Sequence, residues 1–206
     1  EWWKKLYLNG LGEFFYENGI NPGSDFMDIT AEPPEDGNVP ETFSGSGILV
    51  PVGGGKDSVV TLELLSEHAN CRPFIVNPRE ASLASVRNAG YSEEDTILMY
   101  RSIDPLLIEL NGKGFLNGHT PFSAMLAFSS LLVASIYGLE EIALSNESSA
   151  NDPTIPGTKI NHQYSKSLEF EEDFRMYVSK YLCTGINYYS FLRPLNELQI
   201  SGLFST

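Results

Sequence analysis

Short apolar runs alternate with segments of helical periodicity between residues 47 and 182, and this alternation limits the fold more than any other feature of the sequence. The apolar runs have the length of strands and lie at 48–52, 74–76, 96–100 and 142–145. The helical segments lie at 57–67, 81–89, 104–111, 121–137 and 167–182. Because strands that alternate with helices pair in parallel and are covered on both sides, we predict an α/β domain with a mostly parallel, Rossmann-like sheet and helices on both faces.

The first 44 residues have a different character. Apolar and aromatic residues recur every three or four positions across 2–17, which predicts an amphipathic helix weakened by Gly10 and Gly12. Residues 21–41 are rich in proline, glycine and acidic side chains and predict a long loop. We therefore divide the chain into an N-terminal helical appendage with an acidic linker, 1–44, and the α/β domain, 45–206.

The charge balance disfavours several classes of partner. Thirteen lysines and arginines face twenty-seven acidic residues, for a net charge of −14, whereas nucleic-acid binding requires a basic surface. The longest apolar stretch, 122–137, contains four serines and predicts a buried helix rather than a membrane span. Cys71 and Cys183 lie far apart and predict two reduced thiols. We expect a cytoplasmic protein with no nucleic-acid or membrane partner.

Three consecutive glycines, 53–55, lie between the first predicted strand and the helix that follows it. Glycine allows a tight turn that brings amide groups close to an anion, and the helix start adds the positive end of its dipole. The spacing matches neither the Walker A loop nor the dinucleotide fingerprint GxGxxG. The loop is a candidate phosphate-binding site of another type, although glycine-rich turns between a strand and a helix also occur without a ligand.

The sequence VGGGKDS at 52–58 resembles the SGGxDS signature of the PP-loop ATP pyrophosphatases, with Gly53 where that family usually has serine. The resemblance implies that the loop holds the β- and γ-phosphates of ATP while the α-phosphorus is attacked and pyrophosphate leaves. The residues it assigns to this contact are Gly53, Gly54, Gly55, Lys56, Asp57 and Ser58. It also places the end of the second strand beside adenine and ribose, so Asn77 is a candidate nucleotide contact, with a plain Asn-Pro turn as the alternative.

A polar loop at 145–151 follows the fourth predicted strand. Ser145 and Asn146 are candidate nucleotide contacts there, since ligands bind at the carboxyl ends of parallel strands. Glu147 is a candidate Mg²⁺ ligand together with Asp57, because a hard cation that bridges phosphates takes one or two carboxylates. The alternative is an ordinary capping and turn segment.

The run 161–167, NHQYSKS, places an imidazole, a phenol and an ammonium group just before a helix. Lys166 near a helix start opposes the helix dipole, which indicates that it binds an anion. The imidazole of His162 is a candidate proton-transfer group. We take His162, Tyr164 and Lys166 as candidate catalytic residues; a structural hydrogen-bonding role for His162 stays open. Either His119 or Thr120, in a second polar turn at 117–121, is interpreted as a capping residue of the long apolar helix.

Four segments together, 52–58, 116–121, 144–151 and 161–167, resemble the UDP-N-acetylmuramoyl-L-alanyl-L-glutamate epimerase (MurL-type) family within the PP-loop superfamily. The resemblance implies ATP and Mg²⁺ as cofactors and a UDP-linked muramoyl dipeptide as substrate. It further implies adenylation of the terminal L-Glu α-carboxylate, inversion at Cα, and a domain that continues beyond residue 206. Two alternatives remain: another PP-loop ligase or amidotransferase, and a nucleotide-binding module without catalysis.

Overall fold

The computed structural model describes residues 1–23, 25–30, 40–67, 70–155, 157–158 and 160–205. Part of the predicted linker, residues 24 and 31–39, lies outside this range. The helices are α1 (Trp2–Gly10), α2 (Gly12–Glu17), α3 (Lys56–Leu65), α4 (Glu80–Asn88), α5 (Pro105–Gly112), α6 (Phe122–Tyr137), α7 (Leu168–Tyr181) and α8 (Glu197–Phe204). The strands are β1 (Glu41–Thr42), β2 (Ile48–Pro51), β3 (Cys71–Val76), β4 (Ile97–Met99), β5 (Glu141–Leu144), β6 (Cys183–Thr184) and β7 (Asn187–Ser190).

Five strands form one sheet in the order β4-β3-β2-β5-β7, and all four pairings are parallel. The chain runs outward from β2 through β3 to β4, then returns past β2 to continue with β5 and β7. The change of direction falls between β2 and β5, which is where parallel sheets of this kind open a crevice for ligands. A small second sheet pairs β1 with β6, also in parallel.

Helices cover both faces of the sheet, as the sequence predicts. On one face Leu49 of β2 and Ile142 of β5 pack with apolar side chains of α1, α6 and α7. On the other face Val50 and Ala143, the next residues along these strands, pack with α3 and α4. The alternation follows from the strand period of two, which sends successive side chains to opposite faces. Ile200 of α8 extends this second layer over α3.

The N-terminal helix contributes to the same core. Leu6 of α1 belongs to the main apolar cluster, and the Trp2 ring stacks on Tyr177 of α7 with 4.5 Å between centroids. One predicted helix at 2–17 is in fact two, because the chain breaks at Leu11 between the two glycines. A Cβ at Gly10 would lie 2.8 Å from a side-chain carbon of Pro121, so glycine allows α1 to approach the start of α6 closely. The division at residue 44 stays a prediction.

The sequence did not predict the two-residue strands β1 and β6, strand β7 or helix α8. Strand β7 reads NYYS and lacks an apolar run, although Tyr188 is buried in the core. Helix α8 begins with a capping box in which Asn196 and Gln199 exchange hydrogen bonds, a local signal that the sequence does carry. None of the helices in the described part of the chain is long and apolar enough to cross a bilayer.

Candidate functional site

The glycine loop joins β2 to α3 at the crevice between β2 and β5. Gly54 has φ of 90°, and a Cβ there would lie 2.7 Å from the amide nitrogen of Ser82 in the first turn of α4. Glycine is therefore required at this position both by the backbone conformation and by the close approach of α4. The Ser58 hydroxyl braces the turn, since it accepts a hydrogen bond from the Gly54 amide (3.3 Å) and donates one to the Gly55 carbonyl (2.8 Å).

The outer side of this loop is open and rich in unpaired amides. Within the described residues, no hydrogen bond uses the backbone amides of Gly53, Gly55, Lys56 or Asp57. Gly53 and Gly55 are exposed, and no atom lies within 4 Å of the Cβ position that either would have. Several free amides at the start of a ten-residue helix form a site for an anion. The loop has the room and the donors that a polyphosphate group requires.

Lys56 and Asp57 form an ion-paired cluster at the mouth of the loop. The Lys56 Nζ lies 2.5 Å from Asp57 Oδ1 and 2.9 Å from Glu197 Oε2, at the first turn of α8. The hydrogen bond that Lys56 donates to Asp57 raises the pKa of its ammonium group, and that to Glu197 acts in the same direction. The Lys56 ammonium group is thus shared by two carboxylates, so the Asp57 carboxylate already has a cationic partner. Magnesium at Asp57 requires the Lys56 ammonium to turn away, toward Glu197 or toward a phosphate.

Ser145 and Asn146 follow β5 on the other side of the crevice. The Asn146 side-chain amide donates to the Ser190 hydroxyl at the end of β7 (3.0 Å). The Ser145 hydroxyl oxygen is buried and has no hydrogen-bond partner among the described residues. A buried polar atom of this kind normally has a partner, so Ser145 fits a ligand contact better than a purely structural position.

Asn77, the candidate ribose contact, has its side chain engaged elsewhere. It takes a left-handed conformation with φ of 52°. Its side-chain amide donates to the Arg101 carbonyl (2.9 Å), and its side-chain oxygen accepts from the Arg101 amide (2.6 Å). The pair ties the end of β3 to the segment after β4. Asn77 thus shapes the carboxyl edge of the sheet, and its nucleotide contact stays a prediction.

Glu147 caps a short 3₁₀ helix, Ser148–Asn151. Its carboxylate accepts from the Ser149 amide (3.2 Å) and also contacts the Ser149 hydroxyl. Among the described residues, no group of three or more His, Cys, Asp or Glu side chains is placed to hold a metal ion. The Mg²⁺ role of Asp57 and Glu147 stays a prediction, and two carboxylates would need further oxygen ligands, such as the phosphates of a nucleotide, to complete the set.

His162 lies beside a second histidine that the sequence suggested only as a cap. The rings of His119 and His162 meet edge to face with 5.8 Å between centroids. His162 Nδ1 is hydrogen-bonded to the Thr154 hydroxyl, which also accepts from the His162 amide (3.0 Å). His162 belongs to the loop after β5, and His119 immediately precedes α6, which leads back to β5. The topology therefore places both imidazoles at the carboxyl edge of the sheet, the edge that carries the glycine loop.

Tyr164 and Lys166 differ in setting. Tyr164 is buried in the main core against Phe170, and burial raises the pKa of its phenol to about 12. Its hydroxyl is hydrogen-bonded to the Asn9 side chain of α1. Lys166 is exposed, with no ion-pair partner within the described ranges. The catalytic role of Tyr164 stays a prediction, and its burial disfavours that role. Lys166 is exposed and so is accessible to an anion.

Arg193 holds together the segments that carry the site, and the sequence analysis did not identify it as a site residue. Its guanidinium donates to the Glu147 carbonyl (3.1 Å), the Lys166 carbonyl (2.6 Å) and the Ser190 hydroxyl (2.9 Å). It also pairs with the buried Glu171 of α7 at 3.1 Å. One side chain thus joins the loop after β5, the run before α7 and the end of β7. A signal was available, because Arg193 is the only Lys or Arg after Lys180.

The fold and this site define an α/β protein with an open glycine loop at the switch point of a parallel sheet. Residues 1–191 match the profile of the MurL N-terminal domain family, and the chain belongs to that family.

Named relatives agree with this assignment. The UDP-N-acetyl-alpha-D-muramoyl-L-alanyl-L-glutamate epimerase of Xanthomonas oryzae pv. oryzae is 35% identical over 98% of this chain and 45% of its own length. The Micromonospora sp. protein of the same name is 36% identical over 97% of this chain and 45% of its own length. The chain therefore spans about half the length of these relatives. A predicted subunit of tRNA methyltransferase from Methanocaldococcus jannaschii, a solved structure, is 14% identical with a TM-score of 0.43 over 78% of this chain and 74% of that one. This last likeness is too weak to inform function.

Proposed function

We propose that this domain binds ATP at the glycine loop and serves as the activating part of an epimerase. The substrate is UDP-N-acetylmuramoyl-L-alanyl-L-glutamate, and the product carries D-glutamate. The observation that carries the proposal is the open loop at 53–57, whose free amides start helix α3 at the sheet's switch point. The names of the longer relatives support the choice of substrate.

Activation of the α-carboxylate makes removal of the neighbouring Cα proton easier. A carboxylate resists loss of the neighbouring Cα proton, because the resulting carbanion would lie beside a full negative charge. Transfer of AMP from ATP to the terminal α-carboxylate removes that charge, provides an electron sink and releases pyrophosphate. A base then removes the Cα proton, an acid returns a proton to the opposite face, and water releases AMP.

The phosphates of ATP are assigned to the glycine loop and its neighbours. Amides of the loop bind the β- and γ-phosphates, with Ser58 bracing the turn and Ser145 facing the nucleotide across the crevice. Lys56 turns from Asp57 to the phosphates, while Lys166 offers a second ammonium group. Bound Mg²⁺ would neutralise phosphate charge, and Asp57 with Glu147 would hold it.

Proton transfer is assigned to the histidine cluster. His162 has one ring nitrogen fixed by Thr154, which orients the ring and leaves Nε2 for proton transfer. General acid–base catalysis by an oriented side chain contributes roughly 10²–10⁴-fold. His162 is the favoured group because it is half-buried, lies at the carboxyl edge of the sheet and carries an imidazole, a common proton-transfer group in enzymes.

The proposal is tested in the full-length protein by measuring pyrophosphate release and the chirality of product glutamate with the muramoyl dipeptide substrate. Asp57→Asn removes the candidate cation ligand, and we expect it to abolish both signals. Glu197→Gln is the matched control, because it breaks the other half of the Lys56 ion pair outside the loop; we expect it to retain both.

Each alternative function has its own outcome in this assay. Pyrophosphate release without D-glutamate indicates a ligase or amidotransferase. Nucleotide binding without pyrophosphate release indicates a module without catalysis. Wild-type rates in Asp57→Asn contradict the role given to the loop.

A further inference from the structure

The segment 100–122, here called the α5 segment, presents an unusual amount of apolar surface. Every residue from Arg101 to Glu109 is exposed, and so is every residue from Asn111 to Asn117. Six of its large apolar side chains have exposed fractions between one half and three quarters: Tyr100 75%, Leu106 56%, Leu107 51%, Ile108 63%, Phe115 59% and Leu116 61%. Exposed apolar surface concentrated in this way marks an interaction site.

The α5 segment is a built structure rather than a loose loop. Its two ends meet, since the Arg101 guanidinium lies over the Phe122 ring at 5.5 Å from the centroid. The Asp104 side chain caps the start of α5 by accepting from the Leu106 amide (2.8 Å). At the other end Gly114, with φ of 78°, lets the Phe115 amide bond back to the Leu110 carbonyl (3.2 Å).

This capping is needed because a helix of eight residues is marginal without tertiary packing. Most helices gain their stability from an apolar face buried against a neighbour. In α5 the helix is held at its ends while Leu106, Leu107 and Ile108 face outward. The arrangement is that of one half of an interface.

The charge of the α5 segment also distinguishes it. It contains two basic residues, Arg101 and Lys113, and two acidic ones, Asp104 and Glu109, so its formal charge is zero in a chain of net charge −14. An acidic surface repels another acidic surface, and this neutral apolar segment does not. Apolar area removed from water then stabilises the contact.

The geometry points to the α5 segment as the docking surface for the C-terminal part of the full-length protein. Named relatives are more than twice the length covered here, and the matching family is described as an N-terminal domain. A second part of comparable size is therefore covalently linked to this one in the relatives, and a linked partner reaches an apolar surface without a separate association step.

The position of the α5 segment gives this contact a consequence for the site. The segment leaves the carboxyl edge of the sheet after β4, where Arg101 is tied to Asn77. It returns through His119, whose ring touches His162. A part of the protein that covers α5 therefore lies at the margin of the candidate site.

Thiol labelling in the full-length protein tests this inference without any activity measurement, so its result is independent of the proposed function. Leu107→Cys and Leu116→Cys place probes on the α5 segment. Glu94→Cys places a matched probe in an exposed turn before β4, at the opposite edge of the sheet. Maleimide labelling rates are measured natively and in urea, and corrected for the parent protein.

We expect both α5 probes to react at least tenfold more slowly than Glu94→Cys in the native protein, with all three rates equal in urea. Native rates that are equal at the three positions overturn the inference. Protection that disappears on dilution also overturns it, because a second copy of the chain would then be the partner.

Discussion

The imidazole rings of His119 and His162 meet edge to face, with 5.8 Å between their centroids and 88° between their planes. Rings this close leave no space for a carbon atom between them, so the two histidines would act on the same face of a substrate. His162 would transfer the proton, and the edge-to-face contact with His119 would help to hold the His162 ring in position. The group that serves the opposite face of Cα must then lie elsewhere.

This relationship predicts different results for the two histidines. We expect His162→Asn to reduce D-glutamate formation roughly 10²–10⁴-fold and His119→Asn to reduce it less, because His119 acts through His162. ATP binding, measured by calorimetry, should be unchanged in both variants, since neither ring lies in the glycine loop. If both variants lose activity and ATP affinity to the same extent, the two histidines only support the fold.

The glycine loop provides a matched pair of substitutions one residue apart. Gly54→Ala places a Cβ 2.7 Å from the Ser82 amide nitrogen at a φ of 90°, and strain of this kind costs about 1–3 kcal/mol. Gly53→Ala meets no atom within 4 Å and should leave the free energy of unfolding within about 0.5 kcal/mol of wild type. Urea denaturation measures both. A stable Gly54→Ala variant would contradict the packing of α4 against the loop.

The buried ion pair of Arg193 and Glu171 predicts that loss of Arg193 alone lowers stability more than loss of both charges. Their side chains are 14% and 7% exposed, and removal of Arg193 leaves the buried Glu171 carboxylate with only a longer, 3.7 Å ion pair to the more exposed Arg175. Arg193→Met should therefore lower the free energy of unfolding by about 3–5 kcal/mol. Addition of Glu171→Gln should recover part of this loss. Lys113→Met, which breaks an exposed pair with Glu109, is the control and should cost less than about 0.5 kcal/mol.

Tyr164 predicts a pH dependence in the alkaline range. Burial raises the pKa of its phenol to about 12, whereas the unfolded chain titrates near pH 10, as tyrosine does in model peptides. The unfolded state therefore loses its proton first, and the folded domain loses stability as pH rises from about 10 to about 12. Unfolding of wild type and Tyr164→Phe at pH 9 and pH 11 should show a smaller loss in the variant, by about 1 kcal/mol. Identical losses would place the titration in other groups.

Local pattern was sufficient for the elements that build the sheet around the crevice. Strands β2 to β5 carry apolar runs bounded by turns, and the glycines at 53–55 lie where a strand passes into a helix, so the position of the loop followed from the sequence. Strand β7 was missed because its buried residues are Tyr188 and the polar Ser190, which do not form an apolar run. Its place beside β5 is decided by tertiary pairing.

The contacts that assemble the site are long-range, and local pattern does not contain them. His119 and His162 are separated by a helix and a strand before they meet. Arg193 reaches the carbonyls of Glu147 and Lys166 across 46 and 27 residues. Tyr164 sits in a run of polar residues, yet the N-terminal helix covers it. The types of residue in the sequence identify the candidate site residues, but only the folded structure decides which of them face one another.

Amide NMR of this chain during titration with ATP and Mg²⁺ tests most directly whether the glycine loop binds the phosphates. We predict saturable shifts at the amides of Gly53, Gly55, Lys56 and Asp57, reproduced by pyrophosphate alone and absent in a Gly54→Ala variant that remains folded. Binding of ATP that leaves these four amide signals in place would contradict the claim that this loop holds the phosphates.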